Sequence, residues 1–252
     1  MKRLLLSASA LLVAITVSSV AHAAGINLAW TDCKGDGGAS NRAFACNVNT
    51  GTNTIVVSFV APAGVTGMSG NELVIDVITT TSPLPAWWQF KNASTCRQNA
   101  LSTNFVAPGT LVNCVDAWNG QAAGGIGAYT QVAPGGGWSI PGAVQAQHAR
   151  MVIAIATPAP GPIDADVEYF SGNVLINNTK TVGTGACAGC TDPVCIVLNS
   201  LKITQGVGVG DFTLSTPVSA NSNMVTFQGS GADCNAVPVR NATWGAVKSL
   251  YR

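Results

Sequence analysis

Short runs in which apolar and polar residues alternate recur along most of the chain. Alternation of this kind places successive side chains on opposite faces of a β-strand, and the runs are rich in β-branched and aromatic residues. Glycine, proline and asparagine separate the runs and predict turns between them. Helical spacing is not evident before the C-terminal tail. The pattern therefore predicts an all-β protein.

The longest runs, VEYFSGNVLINNT and VCIVLNSLKIT, lie within residues 164–204 and flank the cysteine-rich turn VGTGACAGCTDP. We interpret them as one long hairpin. A single hairpin leaves two edges unpaired and one apolar face uncovered, so the other strands must pair with the edges and cover that face. The predicted fold is an antiparallel β-sandwich, immunoglobulin-like or jelly-roll-like, with disulfide-bonded loops.

Another run, NELVIDVITT, carries specific expectations about burial. The period of two directs Glu72 and Asp76 towards solvent and Leu73, Ile75 and Val77 towards the core. The run ARMVIAIATP is apolar on both faces, which is typical of a central strand.

The tail, residues 241–252, has a different period. Trp244, Val247 and Tyr251 recur at helical spacing, Asn241 can cap the helix, and basic residues occupy the final turn. The sequence therefore predicts a short C-terminal amphipathic helix. A helix of about ten residues is too short to be stable alone in water. It either docks on the sandwich or serves as a sorting or anchoring tag.

Residues 1–23 have the features of a secretory signal peptide. A basic start, MKR, precedes an apolar run, and Ala21-His22-Ala23 supplies small residues at the cleavage position. We expect residues 24–240 to form a single sandwich domain with no membrane span. The expected location is secreted, either periplasmic or extracellular.

Charge excludes one class of partner. Charged residues make up 9% of the chain, against about 25% in typical soluble proteins. Cleavage of the signal peptide would leave ten basic and eleven acidic residues, a net charge of −1 with the remaining histidine neutral. The basic residues are scattered singly, whereas a nucleic-acid-binding protein concentrates them in a stripe with aromatic residues. We therefore expect no nucleic-acid partner.

An even number of cysteines in an exported chain predicts disulfide bonds. The eight cysteines are Cys33, Cys46, Cys96, Cys114, Cys187, Cys190, Cys195 and Cys234. Locality favours bonds from Cys33 to Cys46 and from Cys96 to Cys114, because each pair brackets one turn-rich loop. A bond is expected within the group 187, 190 and 195, which leaves Cys234 for the remaining member. The C-x-x-C spacing at 187–190 lies in a glycine-rich turn, without the helix that activates a redox thiol.

The segment PLPAWWQFKNASTC concentrates Trp87, Trp88 and Phe90. Exposed rings of this kind stack on sugars or fill a pocket of a partner, which would make the protein a carbohydrate-binding module. The alternative is a short helical turn whose buried rings plug one end of the sandwich.

Asp164, Asp166 and Glu168 alternate, which would place three carboxylates on one face at the head of the predicted hairpin. Such a group could be bridged by Ca²⁺. The alternative is a solvated face that protects the strand from edge pairing. No other cofactor is indicated.

Catalytic chemistry is sparse. Cleavage of the signal peptide would leave His148 as the only histidine, which excludes metal sites built from several histidines. His148 is expected to be solvated at the start of a strand. An extracellular hydrolase would need either His148 or a pair of carboxylates in a cleft, and it remains an alternative function.

The segments ELVIDVITT, AWWQFKNASTC, KTVGTGACAGCTDPVC and TWGAVKSLYR resemble those of a set of exported bacterial proteins with no known activity. The resemblance covers most of the chain after the signal peptide, and it implies a shared fold and export. The alternation of long strands is also similar in architecture to cohesin-type and immunoglobulin-like sandwiches, a likeness that does not establish function. The expected function is a non-enzymatic structural or binding module whose partner is a protein or a glycan.

Overall fold

Within residues 23–91, 93–109, 111–131, 147–229 and 234, which a computed structural model describes, the chain forms twelve β-strands. These are β1 (Gly25–Trp30), β2 (Asn41–Arg42), β3 (Thr52–Val60), β4 (Met68–Thr79), β5 (Leu101–Asn104), β6 (Cys114–Val115), β7 (Ala123–Gln131), β8 (His148–Gly161), β9 (Glu168–Asn177), β10 (Val194–Thr204), β11 (Phe212–Leu214) and β12 (Met224–Phe227). The helical content of this part is one 3-10 turn, Ala86–Trp88. The all-β prediction is confirmed. The predicted signal peptide, apart from its last residue, and the predicted C-terminal helix lie outside the described residues.

The strands form two sheets. The five-stranded sheet has the order β1-β3-β9-β5, and β6 also pairs with β9. The seven-stranded sheet has the order β2-β12-β10-β4-β8-β7, and β11 also pairs with β10. The pairs β6 with β9 and β2 with β12 are parallel, and the other pairs are antiparallel. The sheets are therefore mainly antiparallel, with a parallel pair in each.

The inner faces of the two sheets share one hydrophobic core. Trp30 of β1 and Phe227 of β12 are in ring contact across it, with centroids 6.2 Å apart. A buried hydrogen bond also joins the layers, because Asn71 Nδ2 on β4 donates to Ser171 Oγ on β9 at 2.9 Å. Two apolar sheet faces have thus removed each other from water, as the layered architecture requires.

The burial that we predicted for β4 is correct on the inner face and wrong at one outer position. Leu73, Ile75 and Val77 are buried, and Glu72 is exposed, as predicted. Asp76 also points to the outer face, but it is only 2% exposed, because side chains of the neighbouring strand β8 surround its carboxylate. β8 itself lies between β4 and β7, the interior position that its apolar run predicts.

The two longest predicted strands exist, but they do not form a hairpin. β9 pairs with β3 and β10 pairs with β4, so the two strands lie in different sheets. Each strand has partners on both of its edges, which leaves neither edge free for the other. Residues 178–193 carry the chain from one sheet to the other, and we call this segment the crossover.

Disulfide bonds use all eight cysteines, which confirms the predicted number and the absence of free thiols among them. The bonds are Cys33–Cys114, Cys46–Cys190, Cys96–Cys187 and Cys195–Cys234. The local pairing predicted for the first four cysteines is wrong, and no bond lies within the group 187, 190 and 195. Three of the bonds span 81, 144 and 91 residues of sequence. Because the chain alternates between sheets, loops that are distant in sequence meet at the same end of the molecule.

We expect peptide mapping of the unreduced protein to identify these four long-range bonds. Replacing both Cys96 and Cys187 with serine should lower the free energy of unfolding by about 2–4 kcal/mol, because the bond closes a long loop in the unfolded chain. Urea denaturation of the variant and the parent measures the difference. A fragment that joins Cys33 to Cys46 would contradict the pairing.

Candidate functional site

The aromatic segment lies in the core. Trp87 and Trp88 belong to the 3-10 turn and are 0% exposed, and Phe90 is 1% exposed. The two indole rings contact each other at 4.9 Å between centroids, and both contact Phe227 of β12. This corrects the expectation of a carbohydrate-binding surface at these three residues, because buried rings cannot stack on a sugar. Burial of their large aromatic area instead stabilises one end of the core.

The 3-10 turn is fixed by Arg97, a buried cation that pairs with no carboxylate among the described residues. Its guanidinium lies 3.5 Å from the centroid of the Trp87 ring. It donates hydrogen bonds to the carbonyl oxygens of Trp87, Asn177 and Thr179. Burial lowers the pKa of Arg97 to about 9, so the group keeps its charge at neutral pH. Arg97 therefore ties the aromatic turn to the start of the crossover.

The predicted carboxylate face does not form. Asp164 and Asp166 are exposed in a turn, where Asp166 has φ of 65°, so the strand period that would align the three groups is broken. Glu168 begins β9 and is buried. This corrects the expectation of a Ca²⁺ site at Asp164, Asp166 and Glu168, because the three carboxylates are not grouped within ligand distance of one another.

Glu168 instead accepts hydrogen bonds from three parts of the chain. Asn27 Nδ2 donates at 2.8 Å, Ser58 Oγ at 2.5 Å and the backbone N–H of Gly35 at 2.7 Å. The first two lie on β1 and β3, and the third lies in the loop after β1. The carboxylate therefore holds this loop against the five-stranded sheet.

Asp36 lies in the same loop and accepts hydrogen bonds from the backbone N–H groups of Val112, Asn113 and Cys114. Burial alone would raise the pKa of Asp36, but these bonds outweigh it and lower the pKa below its ordinary value. Cys33, Asp36 and Cys114 are also the one group of metal-ligating types that lies within ligand distance in the described part. Both sulfur atoms are in a disulfide bond, which removes the thiolates that a metal would need.

A charged cluster that the sequence analysis missed lies on the outer face of the seven-stranded sheet. Arg150 Nε and one of its terminal nitrogens donate to the two Asp76 oxygens at 2.7 Å each. His148 Nε2 lies 3.2 Å from Asp76 Oδ2. Burial alone would raise the pKa of Asp76, but the hydrogen bonds and nearby charge outweigh it and hold the pKa below its ordinary value. His148 is only 3% exposed, so the expectation that it is solvated is wrong.

A surface cleft of about 340 Å³ lies beside the crossover. Its lining residues are small and uncharged: Cys46, Thr181, Ala186, Cys187, Ala188, Gly189, Cys190 and Thr191. Gly189 has φ of 103°, and a side chain there would collide with Pro85 as well as strain the backbone. The sequence analysis did not find this site, because its walls are backbone and small side chains that match no motif.

Disulfide bonds fix the cleft from two directions. Cys187 is bonded to Cys96 and Cys190 is bonded to Cys46, so the C-x-x-C spacing holds no internal disulfide and no thiol. Gln228 Nε2 adds a hydrogen bond of 3.0 Å to the carbonyl oxygen of Cys190. The turn is therefore a rigid structural element, and its two cysteines are not placed for redox or zinc chemistry with each other.

Most backbone carbonyl oxygens of residues 188–191 accept hydrogen bonds, but the backbone N–H groups have no partner among the described residues. The carbonyl oxygens of Ala188, Gly189 and Cys190 accept bonds from Trp87, Asp192 and Gln228, respectively. The backbone N–H groups of residues 188–191 donate to no partner within the part of the chain that the structure describes. Residues that line the cleft therefore have backbone donors without a partner among the described residues.

Comparisons with known proteins give no family. No family model matches the chain, and no curated protein matches it. A cohesin module from a Clostridium perfringens family 33 glycoside hydrolase aligns with 81% of this chain and 98% of that chain, at 11% identity and a TM-score of 0.34. A protein from Corynebacterium diphtheriae described as membrane anchored aligns with 88% of this chain, at 10% identity and a TM-score of 0.27, and the chain spans 39% of its length. The expected likeness to a cohesin-type architecture is thus found, at a level that says nothing about partners.

Replacing Arg97 with methionine should lower the free energy of unfolding by about 2–4 kcal/mol, because it leaves buried carbonyl oxygens without a donor and removes the cation from the Trp87 ring. Replacing Lys202 with methionine is the control, because its ion pair with Asp211 is partly exposed and contributes at most about 1 kcal/mol. Chemical denaturation of both variants measures the contrast. Equal losses would show that Arg97 has no special structural role.

Replacing Asp76 with asparagine should lower the free energy of unfolding at pH 7 by about 3 kcal/mol, because it leaves Arg150 without its counter-charge. Folding lowers the pKa of Asp76 below its unfolded value of 3.8. Its contribution to the free energy of unfolding is therefore complete above pH 3.8 and is lost as the pH falls through the lower pKa of the folded state. The difference between variant and parent should therefore shrink below pH 3.8.

Urea denaturation at pH 7 and at about pH 3 measures this loss, since the unfolded carboxyl titrates near 4. Glu72 lies on the same strand and is exposed, so its replacement by glutamine is the matched control and should change little at either pH. A difference for the Asp76 variant that does not depend on pH would contradict the ion-pair explanation.

Proposed function

We propose that this protein is an exported, non-enzymatic binding module and that the cleft beside the crossover is its binding surface. The observation that carries the proposal is that residues 188–191 line a cleft that two disulfide bonds hold in shape, and that their backbone N–H groups have no partner among the described residues. A preformed site avoids the entropic cost of ordering its own loops when a ligand binds.

The chemistry of the lining indicates the class of ligand. No charged residue lines the cleft, and its volume is at the lower end of the range of about 300–1,000 Å³ for small-molecule sites. Backbone N–H groups bind oxygen atoms that carry negative or partial negative charge. We therefore propose a small acceptor-rich group as the ligand, either a peptide carbonyl of a protein partner or a sugar with hydroxyl and acetamido oxygens.

Export is supported by the cysteines as well as by the proposed signal peptide. Four disulfide bonds in one chain are typical of an oxidising compartment, periplasmic or extracellular. No helix of the described residues is long and apolar enough to cross a membrane. We propose that residues 24–240 form one immunoglobulin-like or jelly-roll-like sandwich domain, because the two sheets share one core.

The structure disfavours the hydrolase alternative at His148. His148 and Asp76 are 3% and 2% exposed, which leaves no path for a substrate to reach the imidazole. Both Asp76 oxygens are also engaged by Arg150. An ion pair arranged in this way stabilises the sheet and does not present a base to solvent.

A screen of the full chain against glycans and against peptides rich in carbonyl acceptors tests the proposal. Replacing Ala188 with arginine should fill the cleft and reduce the affinity for any ligand found at least about tenfold, a loss of about 1.4 kcal/mol. Thr184 lies in the same turn, is exposed and does not line the cleft, so its replacement by arginine is the matched control. A ligand whose affinity the Ala188 variant retains would place binding elsewhere.

A further inference from the structure

The Cys46–Cys190 bond is the disulfide whose two cysteines both line the cleft beside the crossover. Cys46 is also partly exposed. By contrast, Cys33 and Cys114 are 0% and 3% exposed, and neither lines the cleft. A small thiol that enters the cleft therefore meets the Cys46–Cys190 bond in the folded protein, whereas the Cys33–Cys114 bond reacts only after the loops around it open.

The other two bonds offer less access to a thiol in the cleft. Cys187 lines the cleft and is 4% exposed, but its partner Cys96 lies outside the cleft. Cys195 is 1% exposed within β10. Disulfide bonds that thiols can reach are the ones that exchange, whereas inaccessible ones are structural. Access therefore distinguishes the Cys46–Cys190 bond from the rest.

The side chain of Gln228 lies against this bond. Its Nε2 donates to Cys46 Sγ at 2.9 Å and to the carbonyl oxygen of Cys190 at 3.0 Å. Its Oε1 accepts a hydrogen bond of 3.3 Å from the backbone N–H of Phe44. Gln228 has φ of 63°, a conformation that residues other than glycine rarely adopt and that persists only where surrounding contacts maintain it. The amide is therefore held beside one of the two sulfur atoms.

This arrangement favours thiol–disulfide exchange in one direction. A thiolate of a dithiol reductant attacks Cys190 Sγ and forms a mixed disulfide with it, and the electron pair of the broken bond leaves with Cys46 Sγ. The N–H of Gln228 stabilises the negative charge on this leaving sulfur. The second thiolate of the reductant then attacks the mixed disulfide and releases Cys190 as a thiolate. The reductant becomes a disulfide, the protein gains two electrons, and the two released thiolates take their protons from water.

Contacts on both sides of Cys46 do not involve its sulfur atom and therefore remain after reduction. The Phe44 ring packs on Trp30 with 4.9 Å between centroids. Asn49 Oδ1 accepts a hydrogen bond of 3.0 Å from the backbone N–H of Val182 in the crossover. Reduction therefore frees only the few residues between Phe44 and Asn49, which form one wall of the cleft. The two cysteines stay close to each other, so an oxidant re-forms the bond.

We propose that the Cys46–Cys190 bond is a thiol–disulfide exchange site, that its substrate is a dithiol reductant, and that Gln228 is its positioning residue. Reduction loosens one wall of the cleft, while the other three disulfide bonds and the fold are retained. The exchange site rests on the access, the hydrogen bond and the flanking contacts of this bond. It therefore stands whether or not the cleft binds the class of ligand proposed above.

Timed reduction of the oxidised full chain with dithiothreitol tests the site. Samples are quenched with an alkylating reagent, and peptide mapping gives the rate at which each bond is lost. Cys46 and Cys190 should be alkylated at least about tenfold faster than Cys33 and Cys114. Hydrogen exchange of the protein that has lost only this bond should increase in residues 43–51 and stay unchanged in β4. Earlier loss of any other bond would overturn the proposal.

Two substitutions of opposite charge separate the role of Gln228 in exchange from a bracing role. Gln228→Glu places a carboxylate beside the leaving sulfur and should slow reduction about threefold, whereas Gln228→Lys places a cation there and should accelerate it about threefold. A residue that only braced the loop would give faster reduction in both variants. Gln205→Glu is the matched control and should leave the rate unchanged, because the Gln205 amide is hydrogen-bonded to Thr66 and Gly210 in a different part of the fold. Rates that change in the same direction in both Gln228 variants, or in neither, would overturn the assignment.

Discussion

The crossover from β9 to β10 is the constraint on which the rest of the structure depends. Two interior strands of different sheets follow each other in sequence, so residues 178–193 must turn across the end of the core without a ladder to satisfy their backbone. The chain meets this need with the segment around Trp87. Trp87 donates from its backbone N–H to the carbonyl oxygen of Ala188 and from its indole to Thr181 Oγ1. Arg97 donates to the carbonyl oxygen of Thr179 in the same crossover, and the neighbouring Cys96 is bonded to Cys187.

The chain has few charged residues, and each of the buried ones connects a different pair of segments. Arg97 donates a hydrogen bond to the crossover, and Glu168 accepts one from the loop after β1. Asp76 accepts hydrogen bonds from Arg150 and so joins β4 to β8. A buried polar or charged group is costly unless its hydrogen-bonding capacity is filled. Arg97 meets this condition with carbonyl oxygens and an aromatic ring. Glu168 meets it with neutral donors, and Asp76 meets it with an arginine. Charge is scarce on the rest of the chain, and under the proposed function the neutral backbone groups of the cleft bind the ligand.

Local pattern predicts the strands well because alternation depends on residues a few positions apart. β9, β10 and the inner face of β4 follow from it. Which strands pair is a long-range property: the runs that form β9 and β10 look the same whether they pair with each other or with β3 and β4. The disulfide pairing fails for the same reason, because locality cannot anticipate that the loop holding Cys46 meets the crossover. The carboxylate face fails because Asp166 adopts a positive φ that breaks the period.

The candidate site illustrates a different limit. Trp87 and Trp88 attract attention in the sequence because large aromatic residues are common in binding sites, yet the same rings are the strongest contributors to a core. In this protein both rings are buried in the core. The backbone N–H of Trp87 then bonds to the crossover, which lines the cleft. The residues that line the cleft are mostly alanine, glycine, threonine and bonded cysteine, whose identities carry little chemical information. Recognition through backbone N–H groups depends on conformation, and conformation here is imposed by partners distant in sequence. A site of this kind therefore becomes visible only once the long-range contacts are known.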